Sequence, residues 1–292
     1  MKFSLKEDDF GTKIIYPKPT DEYLKDFYTK KYFQENFGHY KKKYKEIEIA
    51  QINFLDYLID IASQKYFSCP PKTLADIGCG QGFTSRYFLK KGLKVSSTDF
   101  SIEGIKVTNP DIIDKINFSQ KDILNEDFFE DMNFDIIIIK NVLEHVKSTE
   151  NLIRKIKKKM NQDSFLAIVV PNDNKNPIFD YYLKENNLKF EDIKTFCPPE
   201  HLNYFSYNSL DNLMKSEEFT EIFRLGDFPI EMFLMNSKTN YYETDFGETA
   251  YNIKCKFCDL LNTLDPNKVF NLSLSLASLG ISREILSIFK KK

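Results

Sequence analysis

Leu74-Ala-Asp-Ile-Gly-Cys-Gly-Gln-Gly82 decides the fold of this chain. A short apolar β segment runs into it, three glycines close it at alternate positions, and a helix-like segment over residues 83–91 follows. Glycine tolerates positive φ and lets backbone approach a ligand closely. A Gly-rich turn from a strand into a helix N-terminus is therefore a cradle for a nucleotide. The spacing is Gly-x-Gly-x-Gly, not the Gly-x-Gly-x-x-Gly that holds a dinucleotide pyrophosphate. Asp76, two residues before the first glycine, is expected to aim into the pocket, where a carboxylate suits a cationic cofactor better than a pyrophosphate.

Outward from this turn, strand and helix alternate. Strands are expected at 73–77, 93–98, 116–119, 134–139, 164–170 and 221–225, with helices at 83–91, 101–107, 150–160 and 209–215 between them. The run at 134–139 is β-branched and continuous, as in strands buried on both faces. Such alternation predicts an open parallel sheet with helices on both faces. Ahead of it, residues 1–30 read as an irregular arm, and 26–44 form a Tyr/Phe/Lys-rich stretch. Ile47, Ala50, Phe54, Leu58 and Ile61 recur at helical spacing, which predicts one amphipathic helix over about 43–64. Two insertions interrupt the pattern, a lid at 172–205 and a mostly helical segment at 228–279. The expected layout is an N-terminal cap (1–70), a core (71–227), the helical insertion (228–279) and a last core strand within 280–292.

Bulk properties exclude several classes. A net charge of -2 gives no general reason to bind nucleic acid or acidic lipid. The first residues lack an apolar signal core, and the longest apolar runs fall far below the ~18 residues of a membrane span. Five scattered cysteines read as reduced thiols, so a soluble cytoplasmic protein is expected, as monomer or homodimer.

Four features stand at the carboxyl ends of expected strands, where open α/β sheets bind ligands. The first is Asp76-x-Gly78-x-Gly80-x-Gly82. Asp99 follows, twenty-one residues after Gly78, able to accept two ribose hydroxyl protons. Asp122-Ile123 offers adenine a carboxylate and an apolar face. The last is Lys140-Asn-Val-Leu-Glu-His-Val146. In this order over 70–171 they resemble the motifs of class I S-adenosylmethionine (SAM) methyltransferases. Val142-Leu-Glu-His145 and the later Pro199-Glu-His-Leu-Asn-Tyr-Phe-Ser206 point to the branch with ubiquinone-biosynthesis and sugar-tailoring enzymes.

The resemblance implies a Rossmann-like α/β sheet of seven strands, six parallel and a last antiparallel one at 283–289. It implies SAM as cofactor and a small-molecule acceptor, such as a hydroxyl of a sugar or other surface-polysaccharide precursor. It assigns Asp76, Gly78, Cys79, Gly80, Gly82, Asp99, Phe100, Asp122, Ile123, Lys140 and Asn141 to the cofactor, and Tyr32, Glu200 and Tyr204 to the acceptor. No Asp/Asn-Pro-Pro-Tyr follows the fourth strand, unlike amino-directed nucleic-acid methyltransferases.

A hydroxyl acceptor needs a base, and the chain has three histidines. His145 is the first candidate, because it follows the strand beside the expected methyl position, and His201 is the second. His39 lies in the aromatic stretch and reads as a surface or packing residue. No metal is expected, since Cys255-x-x-Cys258 lacks a second ligand pair and its helical spacing suits packing. Other readings stay open: a SAM-binding module without turnover, transfer to nitrogen or carbon, or a nicotinamide oxidoreductase, which would need the other glycine spacing.

Overall fold

Four consecutive isoleucines, Ile136 to Ile139, mark the centre of the molecule, and all four are fully buried. Strand geometry sends alternate side chains to opposite faces. Ile137 and Ile139 join one core cluster and Ile136 and Ile138 another. Each face therefore needs its own helical cover.

The computed structural model describes residues 3–27 and 41–292. In chain order the elements are β1 (Ser4–Glu7), β2 (Lys13–Tyr16), α1 (Asp21–Phe27), α2 (Glu46–Ile52), α3 (Phe54–Tyr66), β3 (Thr73–Ile77), α4 (Phe83–Lys90), β4 (Lys94–Asp99), α5 (Glu103–Thr108), β5 (Asn117–Gln120) and β6 (Phe134–Lys140). Then come α6 (Thr149–Lys157), β7 (Met160–Pro171), α7 (Pro177–Glu185), β8 (Asn203–Tyr204), α8 (Tyr207–Ser216), β9 (Phe219–Gly226), α9 (Gly247–Asn262), α10 (Pro266–Ser278) and β10 (Glu284–Lys291). The main sheet has seven strands in the order β5-β4-β3-β6-β7-β10-β9. Only β10 runs against the rest, antiparallel to both β7 and β9. This is the expected Rossmann-like sheet of six parallel strands and one antiparallel.

One face is covered by α6 and α8, through Leu152, Ile153, Ile156, Leu210 and Leu213. The other is covered by α3, α4 and α10, through Leu58, Ile59, Phe88, Val269 and Phe270. Fully burying each such side chain contributes about 1.5–3 kcal/mol. The stretch at 228–279, expected as a helical insertion over the acceptor, thus sends α10 onto the sheet itself. Cys255 and Cys258 on α9 are both buried, Cys258 within that core.

Three expectations need correction. The first residues are not an irregular arm: β1 and β2 form a hairpin that β8 extends into a second, three-stranded sheet. Its partner lies almost two hundred residues away, so no local pattern announces it. The helix expected over 43–64 is two helices, α2 and α3, hinged at Asn53 (φ -90, ψ 2). The lid is not featureless either. It carries α7 and packs Phe179, Tyr182, Phe190 and Ile193 with Ile15 of the hairpin into a third apolar cluster. Most of the aromatic stretch, with Tyr32 and His39, lies outside the described residues. Among those described, no helix is long and apolar enough to cross a membrane.

Candidate active site

The glycine turn leaves β3 and is pinned to its neighbour: Gly78 and Cys79 N–H groups donate to the Thr98 carbonyl at 2.8 and 3.1 Å. Gly78 sits at φ +73, and a Cβ there would lie 2.4 Å from Val142 Cγ2. That position is closed to any side chain. Gly80, at φ +51, has no atom of the described residues within 4 Å of an added Cβ, so none of them covers the backbone of the turn there. A ligand's own atoms fit there without displacing protein.

Asp99 ends β4 beside this opening. Its Oδ2 accepts the Gly80 N–H at 2.9 Å and its Oδ1 the Ser101 N–H at 3.3 Å. Burial raises its carboxyl pKa, and these N–H donors pull it back down. The next residue, Phe100, is half-exposed (51%), an apolar face at the edge of the opening. Ile123, which follows β5, is buried in the apolar core.

Other expected site residues turn elsewhere. Asp76 does not aim into the opening: its Oδ2 accepts from Ser85 Oγ at 2.5 Å, and Ser85 in turn contacts Ser97. Sealed beneath α4, its carboxyl is pushed up to about 7 by burial. Lys140 donates to Asp56 Oδ2 at 3.1 Å and to the Ile52 carbonyl at 3.0 Å, tying β6 to the α2–α3 hinge. Asp56 is fully buried and also accepts from Thr84. It was missed because one acid inside an amphipathic helix gives no sequence signal. Asp122 spends its carboxylate on its own turn, accepting from the Leu124 N–H and the Asn125 side chain. Asn141 is exposed in left-handed backbone (φ 55), its N–H held by the Val169 carbonyl. Cys79 is buried with Ile105 and Ile112, and burial raises its thiol well above the usual value, which makes it a poor nucleophile. Tyr44, also unforeseen, reaches over the turn to hydrogen-bond Gln81 and packs edge-on against Phe83.

The two histidine motifs meet. Leu202 N–H donates to the Glu144 carbonyl at 2.7 Å, and Asn203 Nδ2 donates to the Leu143 and Val146 carbonyls. These bonds dock the lid on the 3-10 turn Leu143–His145 that follows β6. The His145 and His201 rings lie edge to face, 4.9 Å apart. His145 Nδ1 faces the Glu200 carbonyl at 2.7 Å. Burial lowers the pKa of His145 and, with His145 and Arg283 nearby, pushes His201 down to about 3. Both rings are neutral at pH 7. Glu200 thus serves through its backbone, and its half-buried carboxyl is raised by burial. Tyr204, expected at the acceptor, lies inside the lid. It is 1% exposed, packed in the lid core, with its hydroxyl accepting the Cys197 N–H. Glu144, His145 and His201 bring one donor atom each within 4.8 Å of one another, a spacing that one metal ion can span.

Beyond the histidines lies a charged group that sequence reasoning missed. Arg283, just before β10, sits 2.6 Å from Asp173, 3.5 Å from Glu231 and 3.9 Å from Glu284. Lys254 pairs with Asp227 at 2.7 Å. Asp173 follows β7, Asp227 and Glu231 follow β9, Lys254 lies on α9 and Arg283–Glu284 lead into β10, so only the closed sheet assembles them.

With this geometry in place, comparison with known proteins is direct. Residues 54–222 match the profile of a family described as methyltransferase domain. The chain belongs to that family. Its Rossmann-like sheet and glycine turn make it a class I methyltransferase, and SAM is the cofactor that the bare Gly80 backbone and the Asp99 carboxylate fit. Among solved structures, the chain resembles the plantazolicin methyltransferase BpumL in complex with SAH, at 16% identity and TM-score 0.55 over 92% of this chain and 94% of that one. The plantazolicin methyltransferase BamL, with a triazolic desmethylPZN analog and SAH, matches at 12% identity and TM-score 0.53 over the same shares. At these identities the likeness concerns the fold alone.

Proposed function

We propose that the chain transfers the SAM methyl group to an oxygen of a small-molecule acceptor, with His145 as the base. The observation that carries this reading is the bond from His145 to the Glu200 carbonyl. A carbonyl only accepts, so Nδ1 holds the ring proton and Nε2 carries the lone pair. Lowered by burial, the ring's pKa leaves it neutral and able to take a hydroxyl proton at pH 7. When bound, SAM supplies a methyl already activated by its sulfonium. The protein's task is alignment, exclusion of water and acceptance of one proton.

In this reading Asp99 holds the ribose hydroxyls, Phe100 and Ile123 flank the adenine with Asp122 at its edge, and Asn141 lies along the methionine portion. His201, seated on the lid, positions the acceptor beside His145. The acceptor class, a hydroxyl of a sugar or other surface-polysaccharide precursor handled in the cytoplasm, rests on the Val-Leu-Glu-His and Pro-Glu-His-Leu motifs. Incubation with labelled SAM and a panel of sugars and sugar nucleotides, followed by mass analysis of the product, tests it. A product methylated only on nitrogen or carbon refutes the oxygen assignment. SAM binding without transfer to any acceptor makes the chain a binding module.

Asp99→Ala is expected to weaken SAM binding by about 2–3 kcal/mol, because two charge-assisted bonds are lost. Gly80 also loses the acceptor that fixes its N–H. Calorimetry checks this: a dissociation constant within about twofold of wild type, under 0.5 kcal/mol, removes Asp99 from the site.

A further inference from the structure

Around Arg283 the buried acidic groups outnumber the cations. Asp173, Asp227, Glu231 and Glu144 are each no more than 3% exposed, and Glu284 lies among them. Against these five carboxylates, the described residues set two cations, Arg283 and Lys254. The second side-chain oxygens of Glu144, Glu231 and Glu284 are buried and find no hydrogen-bond partner among the described residues. His145 Nε2 lies 3.7 Å from Glu144 and His201 Nδ1 3.9 Å from Asp173, but burial lowers the pKa of both rings, so neither adds a positive charge at pH 7. Buried carboxylates of native proteins are paired or hydrogen-bonded, because an unpaired one loses its hydration for nothing. Burial holds the Glu231 and Glu284 carboxyls at about 7 and pushes that of Glu144 well above the usual carboxylate range, so these groups keep protons that a cation placed against them would drive off.

Position says which partner. Glu144 follows β6, Asp173 follows β7, Asp227 follows β9 and Glu284 opens the antiparallel β10. All lie at the ligand-binding edge of the sheet, on the half away from the glycine turn. That half is where the acceptor must lie for its oxygen to reach His145. We propose that the acceptor carries a positively charged amine or amidine group besides the atom that is methylated, and that Glu231, Glu284 and Glu144 receive it. The proposal rests on the methyl-transfer reading above and narrows its acceptor to a hydroxylated cation, amino sugars among them.

Matched pairs test it on the full chain, stripped with EDTA and saturated with SAH: glucosamine against N-acetylglucosamine, tyramine against tyrosol, benzamidine against benzamide. Calorimetry is expected to show the charged member of at least one pair binding at least about tenfold tighter than its neutral counterpart. Glu231→Gln should abolish that preference while SAM affinity stays at the wild-type value, which certifies the fold. Glu144→Gln serves as the second variant should Glu231→Gln not fold. Equal binding within all pairs, or no binding of any charged member, overturns the proposal. So does tight zinc binding that Glu144→Gln removes, because a metal ion then supplies the missing charge. His145→Ala should keep the cation preference, so its turnover tests the base assignment separately.

Discussion

A chain truncated after Leu279 is expected to be insoluble or molten. The removed segment contains β10, which pairs with β7 through Glu284 to Phe289 and with β9 through Ile285 to Lys291. Among the described residues β9 has no other partner in the main sheet, so it loses its place along with β10. Ile285, Leu286, Ile288 and Phe289 are all fully buried. At about 1.5–3 kcal/mol each, their loss removes about 6–12 kcal/mol. That matches the whole stability of an ordinary domain, about 5–15 kcal/mol. Solubility, near-UV circular dichroism and a melting scan check this. A soluble truncation with the parent's melting temperature would mean that the sheet closes without β10.

His145→Ala is expected to bind SAM normally and to lose about 10²–10⁴ in kcat, the usual contribution of a general base. High pH should recover part of that loss, as the acceptor hydroxyl ionises unaided. In the parent, burial lowers the ring's pKa from the ordinary 6.5, so kcat should begin to fall at a lower pH than an unperturbed imidazole would dictate. It should fall only where the ring takes its own proton. His201→Ala should instead raise the acceptor KM with a milder drop in kcat, as a lost positioning contact does. If His201→Ala is the dead enzyme and His145→Ala turns over normally, the roles are reversed. Normal turnover by both leaves the base to a carboxylate such as Glu200.

The sequence displays what is local. Thr73–Ile77 and its glycine turn, the isoleucine run of β6, and Asp99 at its strand end all announce themselves by period and spacing. What it hides is direction and distance. Asp76 and Asp99 look alike as acids at strand ends, yet one is sealed against Ser85 and the other faces the opening. The difference lies in Ser85, which α4 places over Asp76 and not over Asp99. The hairpin of β1 and β2 was illegible because its third strand is Asn203–Tyr204. Likewise, Asp173, Glu231 and Arg283 each look like ordinary surface charges until the chain brings them together. The histidine pair was half legible: two motifs were visible, but not the Leu202 and Asn203 bonds that join them.

The position of Arg283 also sets an order of assembly during synthesis. Every strand from β3 to β7, with the glycine turn and Asp99, leaves the ribosome more than a hundred residues before β10. The donor half of the protein has most of its sheet neighbours in hand early, though β7 still waits for β10. The acceptor half does not. Asp173 and Glu231 are made well before their guanidinium partner, and β9 emerges with no strand to pair with. Until Arg283 arrives, Asp173 and Glu231 lack the guanidinium they face in the finished fold, so the sheet closes only at the very end of the chain.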